Sequence, residues 1–217
     1  MKNYEKTILL YSGGVDSYVA WEACLRPETL YVNLGHKYWK KEVKAVIDTI
    51  PSTKIIDCKS IGKYEKDDAE IPARNLLLAT LAAMEGADRI ILVVQKDEMS
   101  IPDRTKDFFL NTSVLLSRLM GREITLMTPF EFMDKTEMIS WYVDQGLPMR
   151  PLLDTVGCYD AAEGHCGNCS ACLRRYIAFM NNGIDPGYEL STEIRVQYLE
   201  SLSSYSVDRQ ERMRKWL

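Results

Sequence analysis

Two groups of residues carry types and spacings suited to chemistry. The first is Ser12-Gly13-Gly14-Val15-Asp16-Ser17, directly after the apolar run Thr7-Ile8-Leu9-Leu10. It reads as a strand that breaks into a glycine loop and opens a helix. Adjacent glycines let the backbone approach a phosphate with no Cβ in the way. Ser12 and Ser17 offer hydroxyls, and the helix start turns free N–H groups and its positive dipole end toward an anion. Asp16 is an anion in an anion site, which calls for a divalent cation, Mg²⁺, beside the phosphates. The second group is Cys158, Cys166, Cys169 and Cys172, spaced C-x7-C-x2-C-x2-C. Four thiolates in one short loop match a tetrahedral structural Zn²⁺ site. A [4Fe–4S] cluster takes the same four ligands, and His165 beside Cys166 could replace one of them. A loop of Gly, Asn, Asp and Ser cannot hold itself together, so the metal supplies folding energy there. Cys24 and Cys58 read as small buried apolar residues.

The elements that must position these groups follow from the periodicity. Strands are expected over residues 7–11, 29–33, 53–57, 89–94 and 123–128. Helices are expected over 17–25, 37–50, 73–85, 105–120 and 135–145. Alternating strands and helices imply right-handed crossovers and a five-stranded parallel sheet with helices on both faces, a Rossmann-like α/β fold. Ligands of such sheets sit beyond the carboxyl ends of the strands. Segments leaving strands near Asn33, Asp57, Gln95 and Pro129 are therefore expected to wall one pocket with the glycine loop. The helix over 73–85 is apolar nearly all round and is expected to be buried. Residues 1–148 read as the phosphate-binding α/β unit, and residues 149–217 as the cysteine loop and C-terminal helices packed on it. Within the second part a helix is expected over 170–180. Ser191 or Thr192 caps a last helix carrying Val196, Leu199 and Leu202, and the Arg-rich tail from Asp208 to Leu217 is expected to fray.

The 217 residues, 46% hydrophobic, suffice for one sizeable core. A net charge of −4 and a pI of about 5.4 argue against a broad nucleic-acid footprint. No apolar run reaches membrane-span length and the N-terminus lacks a signal-peptide layout, so the expected compartment is the cytoplasm. In that reducing setting six cysteines are ligands or buried thiols rather than disulfides.

The loop Ser12–Ser17 is neither a Walker A sequence nor a dinucleotide fingerprint. It resembles the PP-loop of the ATP pyrophosphatases, whose fold is of the adenine nucleotide alpha hydrolase type. Those enzymes grip the β- and γ-phosphates while a substrate oxygen attacks the α-phosphorus. With the cysteine loop, most of the chain resembles the 7-cyano-7-deazaguanine synthases of the queuosine pathway. The likeness is carried by Ile71-Pro72-Ala73-Arg74-Asn75, the segment Lys96–Thr105, Thr128-Pro129 with Lys135, and His165 through Arg175.

This resemblance implies a ligase that uses ATP, Mg²⁺ and structural Zn²⁺. It would adenylate the carboxylate of 7-carboxy-7-deazaguanine and aminate it with ammonia, giving the nitrile. Ser12, Gly13, Gly14, Asp16 and Ser17 would hold the ATP phosphates, with Gly35 and His36 by the adenine and ribose. Asp16, Lys135 and Arg74 would be catalytic. Arg74, Asn75, Asp97 and Asp103 would bind substrate, the two aspartates serving either Mg²⁺ or the N–H edge of a guanine-type ring. Lys135 has an alternative as a surface lysine at a helix start, and Arg74 as a cap on a neighbouring helix. The implied partners are small molecules, with no nucleic acid and no membrane. The resemblance favours a homodimer, and nitrogen is expected from free ammonium or a separate source. The chain departs from the family at Glu98-Met99-Ser100-Ile101 and Arg104-Thr105, where tyrosines and a Cys-Arg pair are usual. That divergence keeps open a product that stops at the amide. Two other readings are a tRNA thiolase with an iron–sulfur cluster and a non-catalytic nucleotide-binding module.

Overall fold

A computed structural model describes residues 5–66 and 69–217. The reading of the N-terminus as leader-free falls partly on residues 1–4, outside the described residues. Five strands, β1 (Thr7–Leu10), β2 (Glu28–Asn33), β3 (Lys54–Asp57), β4 (Arg89–Ile91) and β5 (Thr125–Met127), form one sheet in the order β3-β2-β1-β4-β5. All four pairings are parallel; Leu9 registers with Thr29 on one side and Ile91 on the other. The order reverses at β1, so a crevice opens between β1 and β4 at their carboxyl ends. The glycine loop leaves β1 at that crevice.

Period-two alternation along the strands builds two cores. Ile8, Leu10, Leu30, Val32 and Ile90 face one way and pack on Ala79, Ala82 and Ala83 of α3 (Arg74–Met84) and Leu116 of α4 (Lys106–Met120). Leu9, Tyr11, Tyr31 and Ile91 face the other way. They meet α1 (Val15–Ala23), α2 (Trp39–Thr49) and α5 (Lys135–Asp144) through Val19, Val46, Met138 and Ile139. Leu152 of α6 (Met149–Asp154) and Phe179 of α7 (Ser170–Met180) join this second core. A third cluster joins α7 to α8 (Thr192–Glu200) and α9 (Val207–Arg214) through Leu173, Ile177, Ile194, Tyr198 and Met213.

Several expectations need correction. β4 ends at Ile91 rather than 94, because Val94 trades the ladder for side-chain bonding. Its N–H donates to Thr128 Oγ1 at 3.0 Å and its carbonyl accepts from the same hydroxyl. α3 is not buried all round: small alanines face the sheet while Met84 is exposed. Val196 and Leu199 of α8 also point outward, and Ile194 and Tyr198 make the inward face instead. The tail does not fray. Residues 207–214 form α9, whose Met213 is buried and whose arginines pair with acidic groups on the α/β unit. α6 had no signal in the periodicity.

Candidate active site

The turn after β1 is held by its own serines. Ser17 Oγ donates to Gly14 O at 3.0 Å and lies 3.3 Å from Ser12 Oγ, which accepts from Gly14 N–H. Gly13 has φ +73°, and a Cβ there would lie 3.1 Å from the Glu42 carbonyl and from Val46 N of α2. Gly13 thus lets α2 pack against the turn, while Ser12, Gly14, Asp16 and Ser17 line a cleft of about 610 Å³. The Gly13 carbonyl accepts from Val156 N–H at 2.8 Å, so the approach to the cysteine loop is stitched to the phosphate turn.

Asp16 lies in the first turn of α1. Its carboxylate accepts from Gln95 Nε2 at 2.7 Å and forms an ion pair with Lys135 Nζ. Lys135 stands at the first position of α5, fixed by a capping box in which Asp134 accepts from Glu137 N–H and Glu137 accepts from Asp134 N–H. The sequence pointed to Asp16 and Lys135 separately; the fold pairs them. Gln95, which follows β4 at the expected pocket wall, joins them; its bond to Asp16 had no signal in the sequence.

Arg74 and Asn75 also line the cleft. Arg74 begins α3 after Ala73 in a left-handed conformation (φ +56°) and forms no ion pair among the described residues. Asn75 is buried, and its amide donates to the Asp103 carbonyl at 3.1 Å, holding the turn over 102–104. Asp97 lines the cleft and pairs with Arg209 at 2.9 Å. Asp103 is not among the cleft-lining residues; its carboxylate lies 4.0 Å from Arg104 Nε, while Arg104 bonds Glu98 at 2.6 Å. His36 lines the cleft beneath the edge of Tyr38, its Nε2 buried and 3.1 Å from Glu42 without hydrogen-bond geometry. Gly35 does not line it. Its φ is +76°, and a Cβ there would sit 2.3 Å from the Lys59 carbonyl, so it permits a close crossing of two loops that shapes the wall.

Three carboxylate–cation pairs therefore line the cleft: Asp16–Lys135, Glu98–Arg104 and Asp97–Arg209. Arg174 adds a further cation and donates to Tyr159 Oη at 3.1 Å. A wall with this many guanidinium and ammonium groups suits a multiply charged anion such as a triphosphate.

The four cysteines converge, their sulfurs all within 4.8 Å of one another. Cys166 and Cys172 are 3.9 Å apart. Sulfurs of a tetrahedron built on Zn–S bonds lie about 3.8 Å apart, so the set fits a single ion. A four-iron cube would bind each thiolate to a different iron and hold them farther apart. Backbone N–H groups of Tyr159, Asp160, Cys166, Asn168 and Cys172 point at these sulfurs, which favours thiolates. His165 stands outside the set and stacks on Tyr188 at 4.7 Å. Burial pushes it down to about 4, leaving the ring neutral. Two supporting residues were missed. Lys41 of α2 donates to Cys158 Sγ at 3.1 Å and to the Gly164 carbonyl at 2.8 Å. Arg175 is fully buried and donates to Thr155 Oγ1 at 2.7 Å and the Leu153 carbonyl at 3.0 Å. Among the described residues no helix is long and apolar enough to cross a membrane.

The chain is similar to known proteins over most of its length. Residues 51–183 match the family model described as queuosine biosynthesis protein QueC. The chain is 26% identical to the 7-cyano-7-deazaguanine synthase of Chlorobium luteolum, over 90% of this chain and 100% of that protein. It is 28% identical to the 7-cyano-7-deazaguanine synthase of Methanobrevibacter smithii, over 81% of this chain and 93% of that one. With the protein of that name from Sulfolobus acidocaldarius identity is 30%, over 85% of this chain and 48% of the relative.

Proposed function

The chain belongs to the family of queuosine biosynthesis protein QueC, and from that premise we propose that it is an ATP-dependent carbon–nitrogen ligase that converts 7-carboxy-7-deazaguanine and ammonia to 7-cyano-7-deazaguanine. The observation that carries the reading is the Asp16–Lys135 pair beside a glycine turn that lines a cleft large enough for a nucleotide and a planar acid. A carboxylate is a poor electrophile. Attack of its oxygen on the α-phosphorus of ATP, with loss of pyrophosphate, turns it into an acyl adenylate with a good leaving group.

Gly14 N–H, the Ser12 and Ser17 hydroxyls and the start of α1 would hold the phosphate oxygens. Lys135 would leave Asp16 for the departing pyrophosphate, where negative charge grows. Asp16, so released, offers the oxygen donors a Mg²⁺ ion takes, and such an ion would neutralise the same charge when bound. Ammonia then attacks the acyl carbon, the C–N bond forms, and AMP leaves with the electron pair to give the amide. The amide oxygen then attacks the α-phosphorus of a second ATP, pyrophosphate leaves, and loss of AMP and two protons from the resulting adenylate gives the nitrile. Cys158, Cys166, Cys169 and Cys172 would hold a structural zinc ion with no open position, which takes no part in these steps although Cys158 borders the cleft.

The wall segment Glu98–Ile101, with Glu98 engaged by Arg104, differs from the family pattern. This favours, as a second reading, an enzyme that stops at the amide. Mass spectrometry of the product formed from 7-carboxy-7-deazaguanine, ATP and ammonium tests both. The nitrile is expected. The amide as sole product would establish the second reading, and no acid-dependent release of pyrophosphate would end both.

A further inference from the structure

The C-terminal helix α9 lies beyond the residues that match the family model, yet it reaches the cleft. Arg209 projects from its first turns. The guanidinium lies 4.4 Å over the ring of Tyr205 and donates to Asp97 Oδ2 at 2.9 Å. A small cavity of about 50 Å³ adjoins the main cleft, and Gln95, Asp97, Lys135, Arg174 and Arg209 line both. Lys135 and Gln95 are the two residues bonded to Asp16, so this junction abuts the phosphate turn. Three cations meet there. Two are neutralised by aspartates, and Arg174 forms no ion pair among the described residues. α9 is anchored at the same place: Arg212 pairs with Asp134 and bonds Glu137 at 3.1 Å, the two residues of the capping box around Lys135 at the start of α5.

We propose that Arg209, with Arg174, binds the terminal phosphates of ATP and the pyrophosphate released from it, making α9 a wall of the leaving-group site. The inference rests on the ligase reading and adds to it a binding residue outside the family-matched segment. Asp97 is the carboxylate that an incoming anion would compete with for the guanidinium. When a polyphosphate enters, the guanidinium fork exchanges one carboxylate for phosphate oxygens, which it matches in shape and charge. Because Arg212 secures the helix beside Lys135, the exchange costs a side-chain movement and leaves the backbone in place.

The test is titration of inorganic pyrophosphate, and separately of AMP, into the zinc-loaded full chain, comparing wild type, Arg209→Ala and Asp97→Asn. Arg209→Ala is expected to weaken pyrophosphate binding about tenfold or more while AMP binding holds. Asp97→Asn removes the competitor and is expected to bind pyrophosphate as tightly as wild type or tighter. Unchanged pyrophosphate binding by Arg209→Ala overturns the proposal. So does an equal loss of AMP binding, or a loss in Asp97→Asn as large as in Arg209→Ala, since either would mean that the pair only holds the wall together. The two readings fail separately. Wild type that releases pyrophosphate in an acid-dependent way, with a normal Arg209→Ala titration, sinks only the role of Arg209. Wild type that neither binds nor releases pyrophosphate sinks the ligase reading with it.

Discussion

Asp16 has two neighbours that explain how an anion is tolerated in a phosphate turn. Lys135 neutralises it and Gln95 donates to its Oδ2 as well. Removing the carboxylate would leave Lys135 without its partner and the turn without a ligand for a divalent cation. Asp16→Ala is therefore expected to lower acid-dependent pyrophosphate release by at least about 100-fold, the scale seen when one electrostatic group is lost from a site. Its zinc content should match wild type, because the four sulfurs and their N–H donors lie on other elements. Loss of activity together with zinc would instead report a general failure to fold. At this scale the sequence was informative where residue type and local spacing decide the chemistry: the turn Ser12–Ser17 and the four cysteines needed no tertiary knowledge. Lys41 and Arg174 were not legible, since neither carries a motif of its own, and Gln95 was legible only as pocket wall and not as the partner of Asp16. Asp103 shows the opposite failure. Its type suited a ligand, but the fold uses its carbonyl to receive Asn75.

Helices and strands were readable where period and punctuation agree. α4 begins at the Thr105 cap, whose hydroxyl accepts from Phe108 N–H, and stops at Gly121 in a left-handed conformation, as the pattern required. α8 was found from its Ser191 cap, but of the apolar residues it was read to carry, Val196 and Leu199 lie on the outer side while Ile194 and Tyr198 fill the inner one. α9 was invisible to periodicity. Its docking rests on ion pairs and Met213, which no hydrophobic pattern reveals. The same contrast between local and tertiary demands separates two glycines that both have positive φ, +64° at Gly121 and +76° at Gly35. At Gly121 a Cβ would meet nothing within 4 Å, so Gly121→Ala carries only the left-handed penalty, about 1 kcal/mol. At Gly35 the same Cβ would drive into the Lys59 carbonyl at 2.3 Å, and Gly62 crosses from the other side with its own Cβ position 2.2 Å from the Gly35 carbonyl. Gly35→Ala is expected to cost about 3 kcal/mol or more, since the backbone crossing must open. Urea denaturation of the two variants checks this; equal midpoints would mean that the crossing is not rigid.

Across the whole molecule, the cysteine loop is the joint between the sheet rim and the C-terminal helices. It touches the phosphate turn through Val156 N–H and Gly13 O, and touches α2 through Lys41 on Cys158. On its other side the Gly167 carbonyl accepts from Ser191 N–H at the start of α8, and α7 grows directly out of Cys169, which caps it. The loop itself contributes few apolar side chains, so a tetrathiolate ion would supply the energy that keeps these contacts in register. The sheet does not depend on it in the same way, because one core is closed by α3 and α4 and the other mainly by α1, α2 and α5, with only Leu152 of α6 and the C-terminal end of α7 added. Stripping the metal with a chelator under reducing conditions is therefore expected to produce a partial opening. Amide hydrogen exchange should accelerate through residues 156–172 and in α8 and α9, while β1, β2 and β4 stay protected. Since Gly13 and Arg209 are both reached through the opened parts, nucleotide binding should weaken in the same titration, and zinc returned to the stripped protein should restore it. Uniform exchange across the sheet would mean that the metal holds the entire fold. Unchanged exchange in α8 and α9 would mean that ion pairs from α9 to Asp97, Asp134 and Glu137 suffice to hold the C-terminal helices without it.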